Sequence, residues 1–432
     1  MESQLFTECH YSRFSSGGRT NIYGLALFET SMESGLPVDS EFPSNIIKSF
    51  PQNISHKPQS QNKSNAIKHL FVSSFYGITC FVSATGYWNT IELPINQDIG
   101  EIVSMDAFPS DQSNLIFTLT TTEGDGQHNF TLRIYSLDDA SQMYMEEAIF
   151  RIAEQCQVIR IPFTPMQLFH TGININGKLN TCLLLCGNDG GVHLYLRNKS
   201  TNKWEEEPVR SYFPLLASLS ESSSSILSLE IREIGDLKIV AAGCQNGRLY
   251  VSIMKYDSSV GDFVPMDEPA FVVLFSPITS ISVFSSSSSK VSSGDIHMLV
   301  TCAVERAIIY CNVDKVSLNR PVYLKECSQY DSVLCSNIMD VDWDGNNEII
   351  IGTYGRELLV YKQGLSFSHP IYQIANLDLN QDGIEELIVA TQYGIHILQP
   401  NLEKAKTELL KVLEDLKSLK NELKELKEEQ SS

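Results

Sequence analysis

The feature that most constrains this chain is a repeat. A short apolar run ends in small residues, turns tightly and gives way to a second apolar run. Copies begin at Leu70 (LFVSSFYGITCFV), Leu183 (LLLCGNDGGVHLY), Ile239 (IVAAGCQNGRLYV), Leu299 (LVTCAVERAIIY), Ile349 (IIIGTYGRELLVY) and Leu387 (LIVATQYGIHIL). A looser seventh copy runs from Leu115 to Tyr135, with Gly124 and Gly126 in its turn. Each copy reads as strand, turn, strand. Gly77, Gly190, Gly247, Gly355 and Gly394 stand where tight hairpins call for positive φ. Equivalent positions Gly187, Gly243, Ala303, Gly352 and Ala390 are 56, 60, 49 and 38 residues apart. That spacing suits four-stranded blades, and no helical periodicity separates the copies. The expected fold is all-β: a seven-bladed β-propeller over residues 21–400, preceded by a segment 1–20. A strand from one terminus commonly completes the blade at the other, which removes an exposed edge. Residues Asn21–Ala26 are the segment expected to supply such a strand.

Two regions break the pattern. Residues 31–69 are rich in Ser, Asn, Gln and Pro and read as a disordered insertion. Ser222–Ser225 and Ser285–Ser289 read as flexible loops within blades. From Asn401 onward the character changes to a heptad helix, 401–432. Leu402, Leu409, Leu416 and Leu423 recur every seven residues, and Ala405, Val412, Leu419 and Leu426 follow three later. Lys and Glu dominate the remaining positions, Pro400 lies just ahead, and Asn401 suits an N-cap. The narrow seam favours pairing with a partner chain over packing back on the propeller, and both readings stand.

Charge narrows the class of partner. With 32 Lys and Arg against 52 Asp and Glu, the net charge is −20. Phosphate-rich ligands require a basic face, so nucleic acid is not an expected partner, and docking to anionic lipid by charge is disfavoured. No apolar stretch approaches the ~20 residues of a membrane span, so direct membrane insertion is not expected. There is no leader-like N-terminus, and the ten Cys form no C-x-x-C pair. Most Cys sit in apolar runs, as buried thiols do in a reducing compartment.

Two acidic loops carry the most specific chemistry. Asp340-Val-Asp342-Trp-Asp344-Gly345-Asn-Asn-Glu348 and Asp378-Leu-Asn380-Gln-Asp382-Gly383-Ile-Glu-Glu386 share one register, 38 residues apart. Oxygens at positions one, three and five curl round a hard cation, Gly at six permits the turn, and the acid at nine closes the cage. The candidate ligands are Asp340, Asp342, Asp344 and Glu348 in one loop, and Asp378, Asn380, Asp382 and Glu386 in the other. Two structural Ca²⁺ ions are the expected cofactors; a pair of ion-free Asx turns is the competing reading. The spacing matches the calcium loops of integrin-α-type propeller blades. No nucleophile elbow, Walker loop, zinc-protease motif or kinase set is present, so no enzyme is expected. His193 and His396 occupy corresponding strand positions and read as blade-packing residues.

Several segments resemble the kaptin family. They are Tyr330–Gly345 running on to Gly352–Tyr361, Tyr11–Ser16, Asn21–Ala26 and Phe163–Leu168, with Gly187–Asp189 and His193–Tyr195, Glu206–Val209 and Phe213–Pro214, and Gly243–Gly247. The 31–69 insertion, the Ser runs and the regular leucine heptads depart from that family. The resemblance implies a non-catalytic propeller subunit of the KICSTOR complex. There it would pair with a second FG-GAP-type propeller subunit and join a large scaffold subunit. The complex recruits GATOR to the lysosomal surface and restrains TOR complex 1 when amino acids or glucose run short. The implied location is cytoplasmic, with recruitment to lysosomes. The alternative implied role is association with actin filaments at the cell cortex. Because actin is itself acidic, that role requires a local basic patch on a strongly acidic chain.

Overall fold

The computed structural model describes residues 5–14, 18–30, 67–75, 77–95, 100–109, 115–123, 129–137, 145–175, 177–219, 224–285, 295–325, 327–342, 346–361 and 363–403, and part of 406–420. The insertion expected at 31–69 lies outside these residues up to 66, and Ile67 opens a strand.

Seven antiparallel sheets form the seven blades of a propeller. Blade one comprises Leu25–Thr30, Ile67–Ser73, Ile78–Ala84 and Tyr87–Glu92, from innermost to outermost. Blades two to five follow in chain order from Glu101, Pro165, Ile226 and Ile278. Blade six comprises Val333–Met339, Glu348–Thr353, Glu357–Val360 and Gln363–Ser366. Blade seven comprises Ile371–Leu377, Glu386–Thr391 and Gly394–Pro400, completed on its outer edge by Phe6–Arg13. The closing strand therefore lies upstream of Asn21–Ala26, the segment expected to supply it. Leu25 instead opens the innermost strand of blade one, and part of segment 1–20 is built into blade seven. Phe6 pairs with Pro400 and Arg13 with Gly394, and the buried Phe6 side chain (2% exposed) anchors the strand in the core between blades six and seven.

The seven sequence copies are the second and third strands of each blade. The second strands lie between other strands and are covered on both faces, so their residues are apolar almost without alternation, whereas third strands such as Glu357–Val360 bury alternate residues. Glu386–Thr391 is buried throughout, and Leu183–Cys186 is fully enclosed. The outermost strands see solvent; Pro321–Tyr323 is exposed along its length. Gly190 and Gly247 take the expected positive φ, 79° and 80°. Gly77, Gly355 and Gly394 do not, and in blade six Arg356 does instead, at 69°. Gly355 is needed for a different reason, since a Cβ there would stand 2.3 Å from the Tyr330 carbonyl oxygen.

Seven Cys are buried and none is in a disulfide. Ser224 and Ser225, expected in a flexible loop, are buried; Asn246 N–H donates to Ser224 Oγ at 3.2 Å. His193 stacks on Phe163 at 3.9 Å between Asp189 and Glu206, and His396 packs against Tyr11 and Phe367.

Candidate functional site

Strand direction places the two acidic loops. In an antiparallel blade the connections from first to second strand, and from third to fourth, share one end. Both loops are first-to-second connections, in blades six and seven, so they lie side by side on one face. The start of the C-terminal helix follows the third strand of blade seven and belongs to the same face.

In each loop the apolar residue at position two is driven into the core: Val341 is 1% exposed and Leu379 is fully buried. Burial removes water from its backbone N–H, and the carboxylate at position nine takes over. Val341 N–H donates to Glu348 Oε2 at 3.0 Å, and Leu379 N–H to Glu386 Oε2 at 2.9 Å. This shared lock was not read from the sequence, although an apolar residue at position two of both loops was its signal.

In the first loop, ligand atoms of Asp340, Asp342 and Glu348 lie within 4.8 Å of one another, and Asp342 and Glu348 are buried. Asp344, Trp343 and Gly345 lie outside the described residues. Three convergent hard oxygen donors of like charge fit a divalent cation. In the second loop the side-chain oxygens accept the loop's own N–H groups. Asp378 accepts from Asp382 (3.0 Å) and Gly383 (2.8 Å), Asn380 from Asp382 (2.9 Å), and Asp382 from Ile384 (2.8 Å). Gly383, with φ of 90°, permits that curl. Burial pushes the Glu386 carboxyl up to about 7, opposed by the Leu379 N–H and reinforced by Asp382 and Asp378. Among the described residues, only the first loop gathers three acidic ligands around one point.

The second loop also closes the ring. Gly86 N–H, in the outer turn of blade one, donates to Asn380 O at 2.6 Å, and Thr85 Oγ1 to Gln381 Oε1 at 3.2 Å. Glu385 accepts from Asn376 and lies 3.9 Å from Lys68 of blade one. Blades one and seven, which meet where the chain's ends meet, are thus bridged by this loop.

The C-terminal helix is capped as expected: Glu403 N–H donates to Asn401 Oδ1 at 3.1 Å. Its described positions between 402 and 420 are helical and exposed, including Leu402 (42%) and Leu416 (56%). Leu409, Val412, Leu419, Leu423 and Leu426 lie outside the described residues.

Chemistry elsewhere is quiet. Burial holds the Cys182 and Cys186 thiols at about 12 and Cys244 at about 11, which keeps them protonated and poor nucleophiles. No helix among the described residues is long and apolar enough to cross a membrane.

A model of the family described as KICSTOR complex protein kaptin matches residues 94–410. The chain belongs to the kaptin family. It is 33% identical to KICSTOR complex protein kaptin of Mus musculus over 334 residues, 72% of this chain and 75% of the mouse protein. Two solved structures of BBS1N in complex with ARL6DN are also similar. The lead-soaked one is 9% identical, with 92% of this chain and 97% of that chain covered and a TM-score of 0.49. The mercury-soaked one is 11% identical, with 78% and 88% covered and a TM-score of 0.43. The kaptin-family match spans most of the propeller, including both acidic loops and the first heptad of the helix.

Proposed function

We propose that this chain is a non-catalytic adaptor subunit of a KICSTOR-type complex. In that role it binds a second FG-GAP-type propeller subunit and a large scaffold subunit, and helps bring GATOR to the lysosomal surface. The assembly restrains TOR complex 1 under amino acid or glucose deprivation. The observation that carries this reading is the family match over residues 94–410. The buried, protonated thiols and the structural use of the acidic carboxylates agree with a binding module.

Within that role the first acidic loop is the calcium position. Asp340, Asp342, Asp344 and Glu348 would hold the ion, which would neutralise converging carboxylates and stiffen blade six. The second loop offers the same ligand types in Asp378, Asn380, Asp382 and Glu386, each of which accepts a backbone N–H. The test is affinity purification of the tagged chain from fed and starved cells, followed by mass spectrometry. Recovery of a second propeller protein and a very large subunit is expected. Recovery of actin with neither of them would overturn the reading.

A further inference from the structure

The propeller has a second face, opposite the acidic loops. It is built from the turns between second and third strands and from the connections that carry the chain into the next blade. Val304 and Arg306 lie on such a turn in blade five, Tyr354 and Arg356 in blade six, and Tyr393 in blade seven. Phe275 and Tyr330 lie on the connections entering blades five and six, and Arg19 on the one entering blade one.

Large side chains stand out into water along this face. Phe275 is 99% exposed and Val304 76%, and Tyr330 and Tyr354 are exposed as well. Their backbone is held firmly. Phe275 and Ser276 N–H groups donate to Glu305 Oε2 at 3.0 and 3.2 Å, and Val304 N–H donates to Ser276 Oγ at 3.3 Å. Tyr354 N–H donates to Ser332 O at 2.8 Å, and Gly355 lies against the Tyr330 carbonyl too closely to admit a Cβ. Cys327 links the two pairs, since its thiol accepts from Ala307 N–H at 3.2 Å and its carbonyl from Tyr330 N–H at 3.4 Å. Single exposed apolar residues are ordinary, whereas a continuous row of them marks an interaction surface.

Charge names the occupant. Arg19, Arg306 and Arg356 are exposed, and among the described residues none of them forms an ion pair, although the chain holds 52 acidic residues. The carboxylates on the same turns are engaged elsewhere. Glu305 accepts from Phe275 and Ser276, Asp331 from Ser332 N–H at 2.7 Å, and Glu357 from the Ser366 hydroxyl at 2.7 and 2.8 Å. The Arg19 guanidinium stands 5.6 Å from the centre of the Tyr393 ring, which meets His369 edge-on. Burial raises the Tyr372 hydroxyl above its ordinary range, Tyr354 and Tyr393 add to this and Arg19 opposes it, so these groups share one patch.

We propose that this face docks an acidic segment of a partner subunit, with apolar side chains set between its carboxylates. The arginines would take the carboxylates through forked, charge-assisted hydrogen bonds. Phe275, Val304, Tyr330 and Tyr354 would cover the apolar side chains, as aromatic anchors do at the centre of interfaces. The acidic-loop face repels the same partner, so complementarity also selects the face that is used. This inference deepens the adaptor role proposed above and rests on it.

The test is binding of the full chain to the purified second propeller subunit and to the large scaffold subunit, measured by interferometry over a range of salt concentrations. R306E with R356E should weaken binding to one of them about tenfold or more, and the loss should shrink as salt rises and screens the charges. Phe275→Ser should weaken the same binding about tenfold at every salt concentration. Its side chain touches no core, so its melting temperature should equal that of wild type. Binding that survives both variants would overturn the proposal and leave the adaptor role standing, whereas a wild type that binds neither subunit would remove both. Variants that keep both subunits but lose binding to phosphatidylserine vesicles, or lose only self-association, would assign the face to a membrane or to a second copy and overturn the proposal.

Discussion

Replacing Phe6 by Ala tests how the ring is held shut. Phe6 is 2% exposed and packs with Leu358, Val360 and Leu398, at the junction of blades six and seven. Of the described strand residues from Phe6 to Arg13 it is the one fully buried side chain; the others are exposed or half-exposed. Truncating a buried Phe to Ala typically costs about 3–5 kcal/mol, from lost transfer free energy plus the cavity left behind. Against a total stability of about 5–15 kcal/mol, that is a large fraction. Glu8, with its side chain 48% exposed, should change stability by less than about 0.5 kcal/mol when replaced by Ala. Equilibrium urea unfolding of both variants beside wild type measures the difference. A Phe6→Ala loss below about 1 kcal/mol would mean that this strand does not close blade seven in solution, and the ring-closure argument would fall. Removing residues 1–13 altogether should do more. It would bare the edge of Gly394–Pro400 and leave a strand free to pair with other chains, so the truncated protein should aggregate.

Three further outcomes follow from the geometry. Millimolar calcium should raise the melting temperature and chelator should reverse it, with about 2.7 kcal/mol gained at one hundred times the dissociation constant. Asp342→Asn should abolish most of that shift and Asp382→Asn much less, and no shift in wild type would sink the calcium assignment. Gly355→Ala should destabilise by about 2 kcal/mol or more, because its Cβ would strike the Tyr330 carbonyl; wild-type stability would show that the turn opens freely. Burial raises the Glu230 carboxyl to about 7, opposed by Arg232 and a backbone hydrogen bond from Val283. Its contribution to stability is full below the ordinary carboxyl range and fades as pH rises through about 7. Glu230→Gln should therefore match wild type near pH 4 and exceed it at pH 8, and equal pH profiles would refute the assignment.

What the sequence reveals of this fold depends on burial. The second strand of each blade is enclosed on both faces, so runs such as Ile349–Thr353 and Leu387–Thr391 hold only apolar or small residues and repeat recognisably. The outermost strands face water and lack that mark. Phe6–Arg13 sets polar residues around a single buried Phe, so its sequence carries less strand signal than the apolar Asn21–Ala26 segment. The acidic loops were legible because their ligand spacing is local. What each side chain meets was not, because it depends on where side chains turn: Asp378, Asn380 and Asp382 accept N–H groups of their own loop, and Asp340, Asp342 and Glu348 converge. The contact of Asn380 with Gly86 joins residues almost three hundred positions apart, and no local pattern announces it. Gly355 and Gly394 show a related limit. The residue type was right for a hairpin, but close backbone approach, not positive φ, requires it.

The function proposed for this kaptin-family propeller is assembly with other subunits. The most direct measurement is reconstitution from purified subunits, with masses read by mass photometry. This chain is expected to join a second FG-GAP-type propeller and the large scaffold subunit in a stable complex of fixed stoichiometry. A chain that stays apart from both, while correctly folded, would contradict it.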